Sequence, residues 1–524
     1  MPVVNQKTSI ILARLADLVG PRTPWNRSLW SVGTTFQIAE LLDACSPPQA
    51  QTLSDSSQKN ILEACKRAVG SDPVIDGREK GQLSQHLSKP PNPNGSSFHG
   101  LKELRSRIDG DYMLRWARLF HTGSAAVGAE RAARSIATHL LDLGFSDSHL
   151  SQWLREKSVA LVDEAGLAGL CEDAHRELVM AGEATHTLLF IFRTPMLGSV
   201  QLPPAWLSSS REVTTWLKGN GFATTGVRAP AGLTIEVTAR DKFSALDKGW
   251  AIIDNYAARA LIATGKPLEP LNDVWILGDS ASPFRVSRRT RGVKIGVLHR
   301  QAKIFVETDD TNVDAAFGLL AQLEHSSPSA AIAGGWAAIE SLLGEPGDRS
   351  AAADNLAGLV ACSLPRAELT TLSYVVEQND PVLRARLDGK SNRERAAIVG
   401  DMIRTQVAIP LIGTSDSAAK QRLEAFFRDP SGYLVELQRS ISQAFHRLYR
   451  QRNHILHGGI TSSIALPPTL RTTARLAGAG MDRVAHGLYA DNLKPLELAA
   501  RARIAIAMAD ISMSTDSLVS LLGT

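Results

Sequence analysis

One stretch of the chain places an arginine, an amide and a histidine in close order: Phe445-His446-Arg447-Leu448-Tyr449-Arg450-Gln451-Arg452-Asn453-His454-Ile455-Leu456-His457-Gly458-Gly459. Four residues separate Arg452 from His457, and Asn453 lies beside the arginine. Such a set can perform metal-free phosphodiester chemistry. Histidine moves a proton near neutral pH, and the planar arginine fork holds phosphate oxygens. The stretch reads as the last turns of a helix, stopped by two glycines.

Spacing alone discriminates little, because Arg134/His139, Arg115/His121 and Arg447/His454 repeat it more loosely. Neither of the first two has an amide after the arginine or a glycine stop after the histidine. Positions five apart on a helix point about 140° away from each other. Arg452 and His457 are therefore expected to converge only if the helix ends between them, or if two copies meet across a dimer axis.

The elements that must position these residues belong to a mainly helical chain. Of its 524 residues, 44% are hydrophobic, 21% charged and 6% aromatic, as expected for a globular protein of several domains. A net charge of +4 argues against coating DNA non-specifically but permits a local basic patch. Cys45, Cys65, Cys171 and Cys362 form no Cys-x-x-Cys pair, so neither a zinc ribbon nor a disulfide framework is expected. No metal or cofactor is expected. With no secretory signal and no apolar run long enough to span a membrane, a cytoplasmic protein without membrane contact is expected.

Three regions are predicted. Residues 1–160 read as helical, with a Pro/Gly/Asn-rich surface loop over about 76–100 and separate helices over 101–107 and 111–120. Residues 161–308 read as a small mixed α/β domain, with strands at 185–193, 233–237, 274–277 and 293–298 and helices at 211–218 and 242–264. Residues 309–524 read as an all-helical bundle, including helices at 328–343, 352–364, 366–376, 434–456, 468–487 and 495–521. No dinucleotide or NTP phosphate loop follows any predicted strand. In the middle region Arg285, Arg288, Arg289, Arg291, Lys294, His299, Arg300 and Lys303 cluster at what reads as a loop entering a strand. The arginines there are candidate RNA contacts.

Arg452-Asn453-His454-Ile455-Leu456-His457-Gly458-Gly459 resembles the signature of HEPN domains, a family of helical metal-independent ribonucleases and their relatives. The form is most similar to the ApeA-like branch and to RNA-targeting CRISPR effectors. Trp336 followed by Glu340 on an early helix, in Gly335-Trp336-Ala337-Ala338-Ile339-Glu340-Ser341, also resembles that branch. The likeness covers about 309–524, and no family is recognised for 1–308.

The resemblance implies that His457 is the general acid/base and that Arg452 holds the non-bridging oxygens. Asn453 would orient the phosphate or fix the backbone, Glu340 would steer Arg452, and His454 would be structural or adjacent to substrate. It further implies an RNA substrate cut to 2′,3′-cyclic phosphate ends, a homodimer with its active site between subunits, and an anti-phage abortive-infection role. That role would bring a defence-system partner or a phage-derived trigger. A tyrosine two residues beyond the histidine marks another branch of the family; Gly459 stands there instead, which disfavours a toxin regulated by tyrosine AMPylation. The alternative is a non-catalytic HEPN-like scaffold that binds RNA or protein through the 285–303 arginines. A third expectation, DNA binding through a helix-turn-helix at 130–157, rests on Gln152 and Arg155.

Overall fold

The computed structural model describes residues 6–123, 127–158, 163–194, 203–285, 290–306 and 310–523. It is mainly helical, with one small sheet in the middle of the chain.

The first core runs from Ile11 to Leu178. It includes Leu167, Leu170 and Cys171 of the Glu164–Asp173 helix, so packing of the N-terminal helices continues past the expected junction at 160. Two expectations fail here. The 76–100 segment contains a helix, Gly77–His86, because Asp76 caps it by accepting from the Glu79 N–H at 2.7 Å. The two helices expected between 101 and 120 are one, Ser96–His121, running through Gly110. The helices Ala129–Asp142 and Asp147–Ser158 are joined by a turn at Gly144, whose φ of 101° suits glycine, and both pack on the Gln6–Leu18 helix.

The sheet is antiparallel in the order β2-β3-β1-β4-β5, with β1 Ala184–Phe192, β2 Trp206–Leu207, β3 Ala231–Ala239, β4 Pro270–Ile276 and β5 Phe284–Arg285. The central strand β1 is buried from Leu188 to Phe192 because both of its faces are covered. Leu188, Phe190 and Phe192 meet the Lys242–Thr264 helix through Ala245, Trp250 and Ile253. Leu189 and Ile191 meet Val213 and Leu217 of the Ser210–Gly219 helix. Gly249 lets the longer helix approach closely, since a Cβ there would lie 2.6 Å from Leu188 Cδ1.

The strand expected at 293–298 is absent. The chain there is a strap followed by a short helix, Gly296–Arg300. Its backbone N–H groups are taken by side chains: Val293 donates to Glu324 at 2.7 Å and Val297 to Asp482 at 2.7 Å. Val293 and Ile295 pack against the C-terminal core rather than in the sheet.

That core gathers residues from Val313 to Leu522 and takes in Trp30 from the N-terminal region. Pro328–Leu343 forms as expected. The helices expected at 352–364 and 366–376 are one, Ala351–Asn379, with Pro365 inside it. The one expected at 495–521 is two, Pro495–Met508 and Thr515–Val519. Buried ion pairs lock the N-terminal helices onto this bundle. Arg14 Nε donates to Glu130 at 2.7 Å, Arg422 lies 3.5 Å from the same carboxylate and also binds Glu368, and Arg27 reaches Asp416 at 2.8 Å.

Candidate functional site

The motif lies at the end of the Pro430–Gly458 helix. Asp429 starts that helix by accepting from the Gly432 N–H at 2.9 Å, and Pro430 fills its first turn. At the other end Gly459 turns left-handed at φ 64°, and the N–H groups of Gly459 and Ile460 return to the carbonyls of Ile455 and His454 at 3.1 and 3.0 Å. Gly458 is required for a different reason. A Cβ on it would lie 2.6 Å from Thr52 Cγ2.

The helix does not break between Arg452 and His457, contrary to the geometric expectation. The two side chains nevertheless meet within one chain, with Arg452 Nη1 2.9 Å from His457 Nε2. Their Cβ vectors diverge, and the long arginine stem sweeps around the helix to close the gap. Asn453 contributes by accepting from the same Nη1 at 3.1 Å, so it holds the arginine. Because a guanidinium only donates, His457 Nε2 is the acceptor and the ring proton is assigned to Nδ1. His457 is exposed and Arg452 half-buried, and neither has a carboxylate partner among the described residues.

Beneath this pair the same helix is tied to the N-terminal region. Glu40 accepts from Arg447 Nε and Nη2 and from Arg450 Nη2 at 2.9–3.0 Å, all three residues being buried. Burial would raise the Glu40 carboxyl, but Arg447 and then Arg450 outweigh it and hold the pKa at about 2. His454 Nδ1 lies 2.6 Å from Thr52 Oγ1. Burial, with Arg450 beside it, pushes its imidazole down to about 4, so His454 is neutral at pH 7 and structural. Glu40, Thr52 and Asn60, which accepts from Arg450 at 3.3 Å, are part of the site's foundation that sequence reasoning missed. A lone buried-type acid and a threonine some 400 positions from the motif carry no local signal.

Other expected residues separate. Glu340 does not pair with Arg452. Its carboxylate accepts from Trp336 Nε1 and, at 2.9 Å, from Arg349. Trp336 is fully buried and packs on Tyr449 of the motif helix with ring centres 4.9 Å apart, so it is core.

Of the five candidate RNA-contact arginines, Arg285, Arg291 and Arg300 are described. Arg288 and Arg289 lie outside the described residues. Arg291 donates to the carbonyls of Leu323 and Ser326 at 3.0 and 2.8 Å, closing the end of the Thr311–His325 helix rather than facing solvent. Arg300 pairs with Asp482 at 3.1 Å, and Arg285, exposed on β5, lies 3.7 Å from Asp273. In the 130–157 segment, Gln152 donates to Glu156 and Arg155 to the Ser151 carbonyl, so both are engaged within their own helix.

All four cysteines are buried, and burial raises their thiols, Cys45 to about 11 and Cys65 and Cys362 to about 12. Among the described residues no cluster of His, Cys, Asp or Glu could hold a metal ion, and no helix is long and apolar enough to cross a membrane. No family model, curated protein or solved structure matches the chain.

Proposed function

We propose that the chain is a metal-independent endoribonuclease of the HEPN type. The observation that carries this reading is the 2.9 Å approach of Arg452 to His457 at an exposed helix end, with no carboxylate among the described residues neutralising the arginine. A helix C-terminus bears a partial negative charge and does not itself attract phosphate, so Arg452 must supply that attraction. Its guanidinium exchanges the imidazole for the non-bridging oxygens and stabilises charge growing in the transition state. The freed His457 Nε2 accepts the proton of the RNA 2′-hydroxyl. As the 2′-oxygen–phosphorus bond forms, the bond from phosphorus to the 5′-oxygen breaks, leaving a 2′,3′-cyclic phosphate and a 5′-hydroxyl. The departing oxygen takes a proton from a second acid, which in a homodimer is the imidazole of the other copy. DNA, lacking the 2′-hydroxyl, is not cut. The resemblance extends the proposal to a cytoplasmic anti-phage effector released by a defence partner or a phage-derived trigger.

The test is purified protein with total RNA in EDTA. Fragments ending in 2′,3′-cyclic phosphate are expected from wild type and not from Arg452→Ala or His457→Ala. Cleavage by wild type no faster than by those variants overturns the reading. Salt-sensitive RNA binding without cleavage would instead favour the scaffold.

A further inference from the structure

The Lys242–Thr264 helix outruns the sheet it covers. Its buried residues end at Ile253, Tyr256 is half-buried, and the last two turns, 257–264, contribute no buried residue. Apart from Arg259 and Thr264, every residue in those turns is Ala, Leu or Ile, with Leu261 50% and Ile262 87% exposed. A helix end that is apolar around its circumference is normally covered. Its backbone is already satisfied in place. The Gly265 N–H returns to the Leu261 carbonyl at 2.9 Å, and the Thr264 hydroxyl accepts from the Lys266 N–H at 3.2 Å. The overhang is a finished helix end that lacks only a covering surface.

Charge is the independent observation. Pro270 of β4 and Ala231 of β3 flank Phe192 at the end of β1, so the helix end, the 265–269 turn and the loop before β3 share one end of the sheet. Arg193, Arg228, Arg259 and Lys266 are all exposed there, and none of their side chains has an ion pair or hydrogen bond among the described residues. Of the carboxylates at this end, Glu269 is exposed and Glu212 accepts from the Ser208 N–H at 2.7 Å. Lys266 also offsets the partial negative charge of the helix C-terminus. An apolar tip beside unpaired cations matches a bilayer with anionic headgroups. A second copy would bring the same cations together. RNA would pair with the arginines but leave Leu261 and Ile262 in water.

We propose that this end of the middle region docks on an anionic lipid surface. Leu261 and Ile262 enter the boundary between headgroups and acyl chains, and Arg193, Arg228, Arg259 and Lys266 meet the headgroups. The contact is peripheral, since no described helix is long and apolar enough to cross a membrane. The surface shares no residue with Arg452 and His457, so the inference stands whether or not the chain cuts RNA.

Co-sedimentation of the full chain with phosphatidylcholine vesicles, with and without about 30% phosphatidylglycerol, tests it. Pelleting is expected with the anionic vesicles only, and should fall as salt is raised. Ile262→Asp should lower the partition coefficient about tenfold or more, and so should Arg259→Glu combined with Lys266→Glu. All three side chains are exposed, so the unfolding midpoint should not move. Ile504→Asp, at a 59% exposed isoleucine of the Pro495–Met508 helix, should leave pelleting unchanged. Equal pelleting with neutral vesicles, none with anionic ones, or a partition that neither variant moves overturns the proposal. So does salt-sensitive binding of single-stranded RNA, without vesicle binding, that the Arg259 and Lys266 changes abolish.

Discussion

Arg447 and Arg450 share one buried carboxylate, whereas Arg452, roughly half a turn further along the same helix, has none among the described residues. The first two are fully desolvated and would be untenable without Glu40. The third is half-exposed and spends its hydrogen bonds on an amide and an imidazole, neutral groups that an incoming phosphate can displace. One helix thus carries two uses of the same side chain. What separates them is whether a carboxylate arrives from elsewhere in the chain, and the N-terminal region delivers it to one level of the helix only.

The comparison breaks most severely at Glu40. Glu40→Gln removes the one carboxylate hydrogen-bonded to both buried guanidiniums and is expected to destabilise the protein by about 3–5 kcal/mol. Denaturant unfolding measures it. A loss below about 1 kcal/mol would mean that water reaches this cluster and that the contrast with Arg452 is false.

Next in size is Gly458→Ala. The new methyl must push Thr52 or the motif end aside, at about 1–3 kcal/mol. Because the same contact seats the helix end against residues 49–52, cleavage should fall as well. A variant that keeps full stability would show that this seat is loose.

A smaller effect separates Thr52 from its histidine. Thr52→Val removes the 2.6 Å hydrogen bond to His454 and should cost about 0.5–1.5 kcal/mol. The buried imidazole also sets a pH dependence. With its pKa lowered to about 4 in the fold against 6.5 ordinarily, the unfolded chain binds the proton first. Stability attached to His454 is therefore complete above pH 6.5 and is lost as pH falls toward 4. His139, also lowered to about 4, acts in the same direction, so the informative quantity is the difference between wild type and His454→Gln. The variant should lose less stability than wild type between pH 6.5 and 4. Parallel curves would remove His454 from the interface. Glu40, held at about 2, adds its own loss only below pH 4.5.

Legibility in the sequence followed locality. The Lys242–Thr264 and Pro328–Leu343 helices and the β1 strand were readable because periodicity, caps and β-branched runs all lie within each segment. The 293–298 run misled, because Val293 and Val297 give their N–H groups to side chains of distant helices rather than to a neighbouring strand. Pro365 suggested a boundary, but it lies buried in a helix held on both sides by the bundle. At the site, Arg452, Asn453 and His457 were legible as a motif. Their foundation was not, since Glu40 and Thr52 reach the helix only through tertiary folding, and of the basic stretch Arg291 turned out to close a helix end.

Arg452 itself should matter least to stability. Arg452→Ala removes a half-exposed side chain whose partners, Asn453 and His457, can turn to water, so unfolding free energy should change by no more than about 0.5 kcal/mol. Under the proposed chemistry the same change lowers the cleavage rate about 10²–10³-fold, the usual consequence of removing a preorganised donor to a developing oxyanion. Arg452→Lys sharpens the point. It keeps the charge but loses the fork that spans Asn453, His457 and phosphate, and should recover only part of the rate. If Arg452→Ala instead destabilises as Glu40→Gln does, the arginine is a strut like Arg447, and the division of labour along the helix disappears.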